Sequence, residues 1–333
     1  MSHPKYDLIS IGDVVIDAFI KLSVGTVTTD DETKEMTLCM PFADKIPYES
    51  LKVVPAVGNA SNVAVGLARL GFKTAMLAAI GKDYYGQQIL DHYKREGVGT
   101  ELVRINENLP TNYHFVLNYG PERTILVKHE DFSYESIDAV DDVEWVYFSS
   151  IGQHALGIHD DLADHLEKHP NIKLGFNPGT FQMKLGAERL KRIYARTHVL
   201  FVNREEAQHI LGVHDRDLKD EFVGLHKLGP KIIAITDGPD AAYASDGMNF
   251  WKTTPYPDPK PPISRTGAGD GFATGFMAAL MAGKSVPEAL SWGPVESMSV
   301  VQAIGAQTNL LTKPQLLDYL EKAPESYKVT PLE

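Results

Sequence analysis

A single cysteine, Cys39, occurs in 333 residues. No disulfide can form within the chain, and a reducing, cytoplasmic setting is the expectation. No apolar run approaches the roughly 18 residues needed to span a bilayer. Residues 1–7 are polar and lack the apolar core of a secretory signal. Positive charge is scarce: 32 Lys and Arg stand against 44 Asp and Glu, a net charge of −12, and no basic block occurs. Nucleic acid and anionic membrane are therefore disfavoured as partners, and any phosphate must be held by a few local donors. A P-loop is missing, because no Gly-Lys-Ser/Thr follows a glycine at the required spacing. A dinucleotide fingerprint after the first strand is missing too, which argues against hydride transfer.

What is present is an alternation of short apolar runs and amphipathic helices. With 43% hydrophobic residues, the chain can bury a large core, either as two domains or as one α/β domain with an insertion. Residues 8–16 read as a buried strand, 60–70 as a helix stopped by Gly71, 74–80 as a strand, and 84–96 as a helix followed by Gly97. Further strands are predicted at 143–149, 172–176, 199–202 and 232–236. The alternation predicts an α/β fold, a mostly parallel sheet covered by helices on both faces. Residues 19–55 and 102–132 break the rhythm with Thr-rich or alternating stretches. Together they read as a small β-sheet, either a lid that excludes water or a surface for dimer contact; the two roles are compatible. The predicted division is a core of residues 1–17, 56–103 and 133–333, with lid insertions at 18–55 and 104–132.

The strongest motif is Arg265-Thr266-Gly267-Ala268-Gly269-Asp270-Gly271. It follows a Pro-rich loop and opens an apolar helix over residues 269–282, ended by Gly283. Small residues let a ligand approach the backbone, and free N–H groups at a helix start attract anions. A carboxylate among those amides fits a site where it takes a proton from a hydroxyl while the amides of Gly267, Ala268 and Gly269 hold a moving phosphoryl group. A Gly-rich helix cap with Asp as a capping residue is the plainer alternative.

This segment resembles the signature of the ribokinase-like, or PfkB, carbohydrate kinases. A second segment, Gly58-Asn59-Ala60-Ser61-Asn62 through Ala68-Arg69-Leu70-Gly71, is similar to that family's Asn-x-Ala…Ala-Arg-Leu-Gly stretch. The resemblance runs over residues 7–307 and implies a doubly wound α/β fold with a β-sheet lid, ATP and Mg²⁺ as cofactors, and a small sugar or nucleoside as acceptor. It implies Asp270 as general base.

Asp17, expected at the carboxyl end of the first strand, can accept hydrogen bonds from adjacent sugar hydroxyls, as the matching family residue does; a solvated turn is the alternative. Gly58 and Asn62 are expected at a helix start facing the same cleft, although Asn62 alone more often reads as a cap. The resemblance assigns Asn203 and Glu206 to the water shell of Mg²⁺, and Thr236 and Gly238 to the nucleotide; Asn177 faces the phosphate path or merely forms a turn before Pro178. The resemblance also assigns Thr266 to the nucleotide's phosphates. Arg265 stands where the family has a small hydroxyl residue, and either reaches a phosphate or pairs with a surface acid. Ser264 replaces a family Asp that helps bind a monovalent cation, so potassium activation is doubtful. Val57 replaces a family glycine, and Val15 an Asn of ribose-using members. Lys34, Arg104, Arg123 and Lys128 are candidate cations for a phosphorylated acceptor, and Phe42, Tyr113 and Phe115 are candidate walls for a base. A non-catalytic sugar-binding homologue and a homodimer paired through the lid are further possibilities.

Overall fold

Each short run of Val, Ile, Leu and Phe becomes a strand with both faces buried, as expected where helices cover a parallel sheet. The computed structural model describes residues 5–120, 122–140, 143–214 and 216–332; the first four residues of the polar N-terminal stretch lie outside them. The strands are β1 Tyr6–Ile11, β2 Val15–Leu22, β3 Thr26–Thr29, β4 Met36–Cys39, β5 Tyr48–Val57, β6 Thr74–Gly81, β7 Val103–Asn106, β8 Tyr113–Tyr119, β9 Glu122–Leu126, β10 Val143–Phe148, β11 Lys173–Phe176, β12 Thr197–Asn203, β13 Ile232–Asp237, β14 Ala241–Ser245, β15 Phe250–Thr253 and β16 Thr330–Pro331. The helices are α1 Asn59–Arg69, α2 Tyr84–Glu96, α3 Leu156–Lys168, α4 Thr180–Leu185, α5 Lys191–Arg196, α6 Arg204–Leu211, α7 Leu218–His226, α8 Ala268–Met281, α9 Val286–Val300 and α10 Lys313–Glu321.

The large sheet has the order β16-β15-β14-β13-β12-β11-β10-β1-β6-β7. It is parallel from β7 to β13 and antiparallel from β13 to β16. Alternate residues of each strand serve opposite faces. Ile9, Ile11, Val146 and Phe148 pack with Leu162 of α3, Ile193 of α5 and Phe222 of α7. Leu8, Trp145 and Tyr147 pack on the other face with Val63 of α1, Phe276 of α8 and Val295 of α9.

A second sheet, β5-β2-β8-β9, carries the insertions. It is mixed: β2 runs parallel to β8, while β2–β5 and β8–β9 are antiparallel. The Thr-rich stretch forms a separate two-stranded ribbon, β3–β4, and does not join this sheet. Residues 8–16 are not the single strand expected. The chain breaks at Gly12-Asp13-Val14, so β1 stays in the large sheet while β2 enters the small one. The run is continuously apolar apart from Ser10, Gly12 and Asp13, so periodicity cannot locate the break.

One buried acid affects stability. Glu296 of α9 is fully buried; one carboxylate oxygen accepts from the Leu311 N–H at 3.2 Å and the other has no partner. Burial pushes its pKa up to about 8, so it is neutral in the folded chain at pH 7. The unfolded chain loses this proton near the ordinary Glu pKa, so the folded state binds more protons between about pH 4.5 and 8. Stability is therefore lost as pH rises through that window. Glu296→Gln is expected to be more stable than the parent by about 2 kcal/mol at pH 8.5, with the difference shrinking toward pH 5. Urea unfolding of both proteins at the two pH values checks this; an equal gap at both would refute it.

Candidate active site

Strand order reverses at β1, since later strands are added first toward β7 and then toward β13. In such sheets the crevice beyond the strand carboxyl ends is where ligands bind. Asp13 follows β1 there, and one of its oxygens accepts from the Gly152 N–H beyond β10 at 2.8 Å, bridging the reversal.

The helix starts converge on the same edge. Gly58 precedes α1 with φ 128°, and a Cβ there would lie 2.5 Å from the Asp13 carbonyl, so only glycine fits. One turn on, Asn62 donates from Nδ2 to Asp270 Oδ2 at 2.7 Å. Its orientation is fixed by Gln307, which donates to Asn62 Oδ1 at 2.9 Å and contacts His92 Nε2 through Oε1 at 2.7 Å. The Asn62 carbonyl is occupied, so its NH₂ must face the carboxylate. Sequence reading passed over Gln307, a lone amide in a loop with no motif spacing to mark it.

Asp270 is the third residue of α8, one residue later in its helix register than expected, because the helix begins at Ala268. Gly267 precedes it at φ 85°. Among the described residues the N–H groups of Gly267, Gly269 and Asp270 have no hydrogen-bond partner, as first-turn amides do unless a ligand or cap supplies one. Ala268 differs from expectation: its N–H bonds back to the Arg265 carbonyl at 3.3 Å. Burial raises the Asp270 pKa to about 6; the Asn62 bond opposes this and the nearby Glu206 adds to it.

Glu206 and Asn203 sit where β12 turns into α6. They form a reciprocal cap: Glu206 accepts from the Asn203 N–H and Asn203 from the Glu206 N–H, both at 2.8 Å. Burial raises the Glu206 pKa. The buried Tyr147 hydroxyl lies within electrostatic reach of both Asp270 and Glu206, which help to push its pKa up. Asn177 is engaged in the scaffold, donating to the Phe201 carbonyl at 2.9 Å and accepting from Ser149 and Asn59.

A cavity of about 330 Å³ adjoins the start of α8. Thr236, Gly238, Arg265, Ala268 and Gly269 line its polar side, and Pro239, Phe272, Met298 and Val301 its apolar side. Arg265 is exposed at its edge. Thr266 donates its N–H to Ser264 Oγ at 3.2 Å, so Ser264 is tied into the loop.

Asp17 is not at the end of a core strand. It lies within β2, opposite Val54 of β5 and His114 of β8. Its side chain is 17% exposed, one oxygen has no partner, and burial raises its pKa to about 6. Tyr113 and Phe115 alternate with His114 along β8 and so point to the other face of the lid; Phe42 is 99% exposed. These three do not form the aromatic slot that the sequence offered. Of the lid cations, Arg104 donates to the Tyr134 carbonyl and Lys128 pairs with Glu130. Lys34 is exposed, while Arg123 bears on Asp17.

Residues 43–313 match the profile of the pfkB family carbohydrate kinases. The chain belongs to that family. An uncharacterized sugar kinase of Archaeoglobus fulgidus is 26% identical over 74% of this kinase and 98% of the relative. Two solved structures share the fold. The nucleoside kinase of Methanocaldococcus jannaschii has a TM-score of 0.74 at 19% identity, covering 96% of this chain and 100% of the other. The ribokinase of Arabidopsis thaliana, complexed with ribose and ATP, has a TM-score of 0.78 at 19% identity, covering 96% and 99%. This kinase thus has the ribokinase-like architecture, a mostly parallel sheet flanked by helices with a small separate sheet. Among its described residues no helix is long and apolar enough to cross a membrane.

Proposed function

We propose that this kinase moves the γ-phosphate of ATP onto a hydroxyl of a sugar, with Asp270 as general base. The observation that carries the reading is the Asn62–Asp270 bond beside unpartnered amides at the start of α8. Asn62 and Gln307 hold the carboxylate in place, and Asp270 takes the acceptor proton as the bond to phosphorus forms. The N–H groups of Gly267, Gly269 and Asp270 offset charge on the phosphoryl oxygens. The apolar cavity suits the flat base of the nucleotide, with Thr236 and Gly238 toward its ribose and phosphates and Arg265 toward the phosphate tail. Asp17, with Gly58 and Asn62, holds the acceptor. The β5-β2-β8-β9 sheet is the lid that keeps water from taking the phosphate.

Glu206 fits Mg²⁺ through its water shell. It is a part-buried acid whose pKa burial raises, it adds to the raised pKa of Asp270, and Mg²⁺ needs few protein ligands. When bound, Mg²⁺ supplies charge neutralisation on the phosphates. Ser264, tied to Thr266, offers no carboxylate to a monovalent cation, so turnover is expected to be independent of potassium. The outer lid face exposes Leu51, Val53, Phe115 and Leu126, which suits a second copy of the chain. Nucleoside phosphorylation within the same family is the second chemistry to compare. ADP release over sugars, sugar phosphates and nucleosides, with and without potassium, tests the assignment. Sugars giving the highest kcat/KM support it; release with nucleosides alone would overturn the sugar assignment, and release with none would overturn the activity.

A further inference from the structure

Asp17 and His114 stand opposite each other on the cleft face of the lid. A register shift in the β2–β5 pairing between Val15 and Asp17 sets Asp17 beside Val54, and Val54 lies against the Gly305 loop of the core. That face therefore looks toward the start of α8. His114 Nδ1 lies 3.7 Å from Asp17 Oδ1. This is too long for a hydrogen bond, yet close enough for one hydroxyl oxygen to reach both atoms at about 2.8 Å. Asp17 Oδ1, the oxygen that faces His114, has no partner. A buried carboxylate oxygen left without a donor is costly, so this pair is built for a group that the protein itself does not supply. The side chains as a whole keep a sliver of exposure, 17% and 11%, from which a ligand approaches the pair, while Asp17 Oδ1 itself is covered.

The neighbours settle the charge. Asp13 receives the Gly152 N–H and the Tyr134 hydroxyl, and His129 Nδ1 stands 2.9 Å from its Oδ2. Asp13 holds the His129 pKa up. His129 meets His114 edge to face, with ring centroids 5.2 Å apart. Burial first and His129 second push the His114 pKa down to about 4, against smaller pulls from the Lys128 backbone and Asp13. His114 is therefore neutral near pH 7 and can donate through one ring nitrogen. Asp13 is matched by His129 and Lys128 by Glu130, which leaves Asp17 as the unmatched buried charge, with Arg123 acting on it from an exposed position.

We propose that His114 is a specificity-determining contact to the acceptor, donating to a hydroxyl that in turn donates to Asp17, so that the pocket selects an uncharged polyol at this position. The assignment rests on the kinase reading and extends it. A phosphate or carboxylate placed here would meet Asp17 with no buried cation to balance it.

The test is ADP release with D-fructose, D-ribose, D-glucose, adenosine, 2-keto-3-deoxygluconate and fructose 6-phosphate, for the parent, His114→Leu and His114→Asn. The preferred acceptor is then compared with deoxy analogues lacking one hydroxyl in turn. The parent is expected to prefer an uncharged member. His114→Leu should lower kcat/KM for it about 10- to 100-fold, mainly through the acceptor KM, with the ATP KM unchanged. One deoxy analogue should lose its disadvantage in His114→Leu, and His114→Asn should restore part of the preference. Equal losses for every analogue, or a charged preferred acceptor, would overturn the assignment while the kinase reading stands. Absence of ADP release with the whole panel would bring down both. If His114→Leu fails to fold, as judged by circular dichroism, the same comparison with His114→Asn decides: unchanged discrimination among the deoxy analogues refutes the contact.

Discussion

Asp270→Asn is expected to lower kcat by about two to four powers of ten while leaving ATP and acceptor affinity within a few-fold of the parent. The substitution is nearly isosteric. It keeps an oxygen that can accept from Asn62 Nδ2, now 2.7 Å from the carboxylate, so the local scaffold survives. What disappears is basicity at one point: an amide cannot take the acceptor proton. Steady-state kinetics with both substrates varied, together with calorimetric binding, separates the two effects. A variant that binds poorly but turns over near normally would mean that the carboxylate serves affinity and not proton transfer.

Gly267→Ala is the second large effect. At φ 85° any side chain is strained, and here the new Cβ would lie 2.3 Å from the Ala306 Cβ. Something must move, and both candidates belong to the site. If the Gly267 turn shifts, the amide donors of α8 leave their positions. If the Ala306 loop shifts, it carries Gln307, whose bond to Asn62 at 2.9 Å orients the contact to Asp270. Loss of one such donor typically costs 10² to 10³ in kcat, and the strain itself costs about 1–3 kcal/mol of stability. Turnover within fivefold of the parent, in a folded variant, would show that the amides are not aimed at the moving phosphoryl group.

The core was legible because its signals are local. A strand buried on both faces must be a short apolar run, and a helix such as α2 announces its end with Gly97 in a left-handed cap. The place of Asp270 in the first turn of α8 was legible for a similar reason, since glycines flank an apolar run there. Where the sequence reading went astray, the determining contact is distant along the chain. The break between β1 and β2 is set by which sheet each half joins, a partnership with Val143–Phe148 on one side and Tyr113–Tyr119 on the other. The Gln307–Asn62 bond joins residues 245 positions apart. The aromatic residues of β8 looked available for a base, but alternation sends them to the face opposite His114. The ring that does stand beside Asp17 is that of His114, and a histidine with no metal or nucleophile motif around it carries no local signal.

The most direct test of proton transfer by Asp270 is the single-turnover rate of phosphoryl transfer, measured from pH 5 to 8.5 with saturating ATP and acceptor. Burial raises the Asp270 pKa to about 6. Because the base must be ionised, the parent rate should climb about tenfold per pH unit below that value and level off above it. Asp270→Asn should be slow and should lack this limb. An acid limb of the same midpoint and slope in both proteins would contradict the account, because the titrating group would then lie elsewhere.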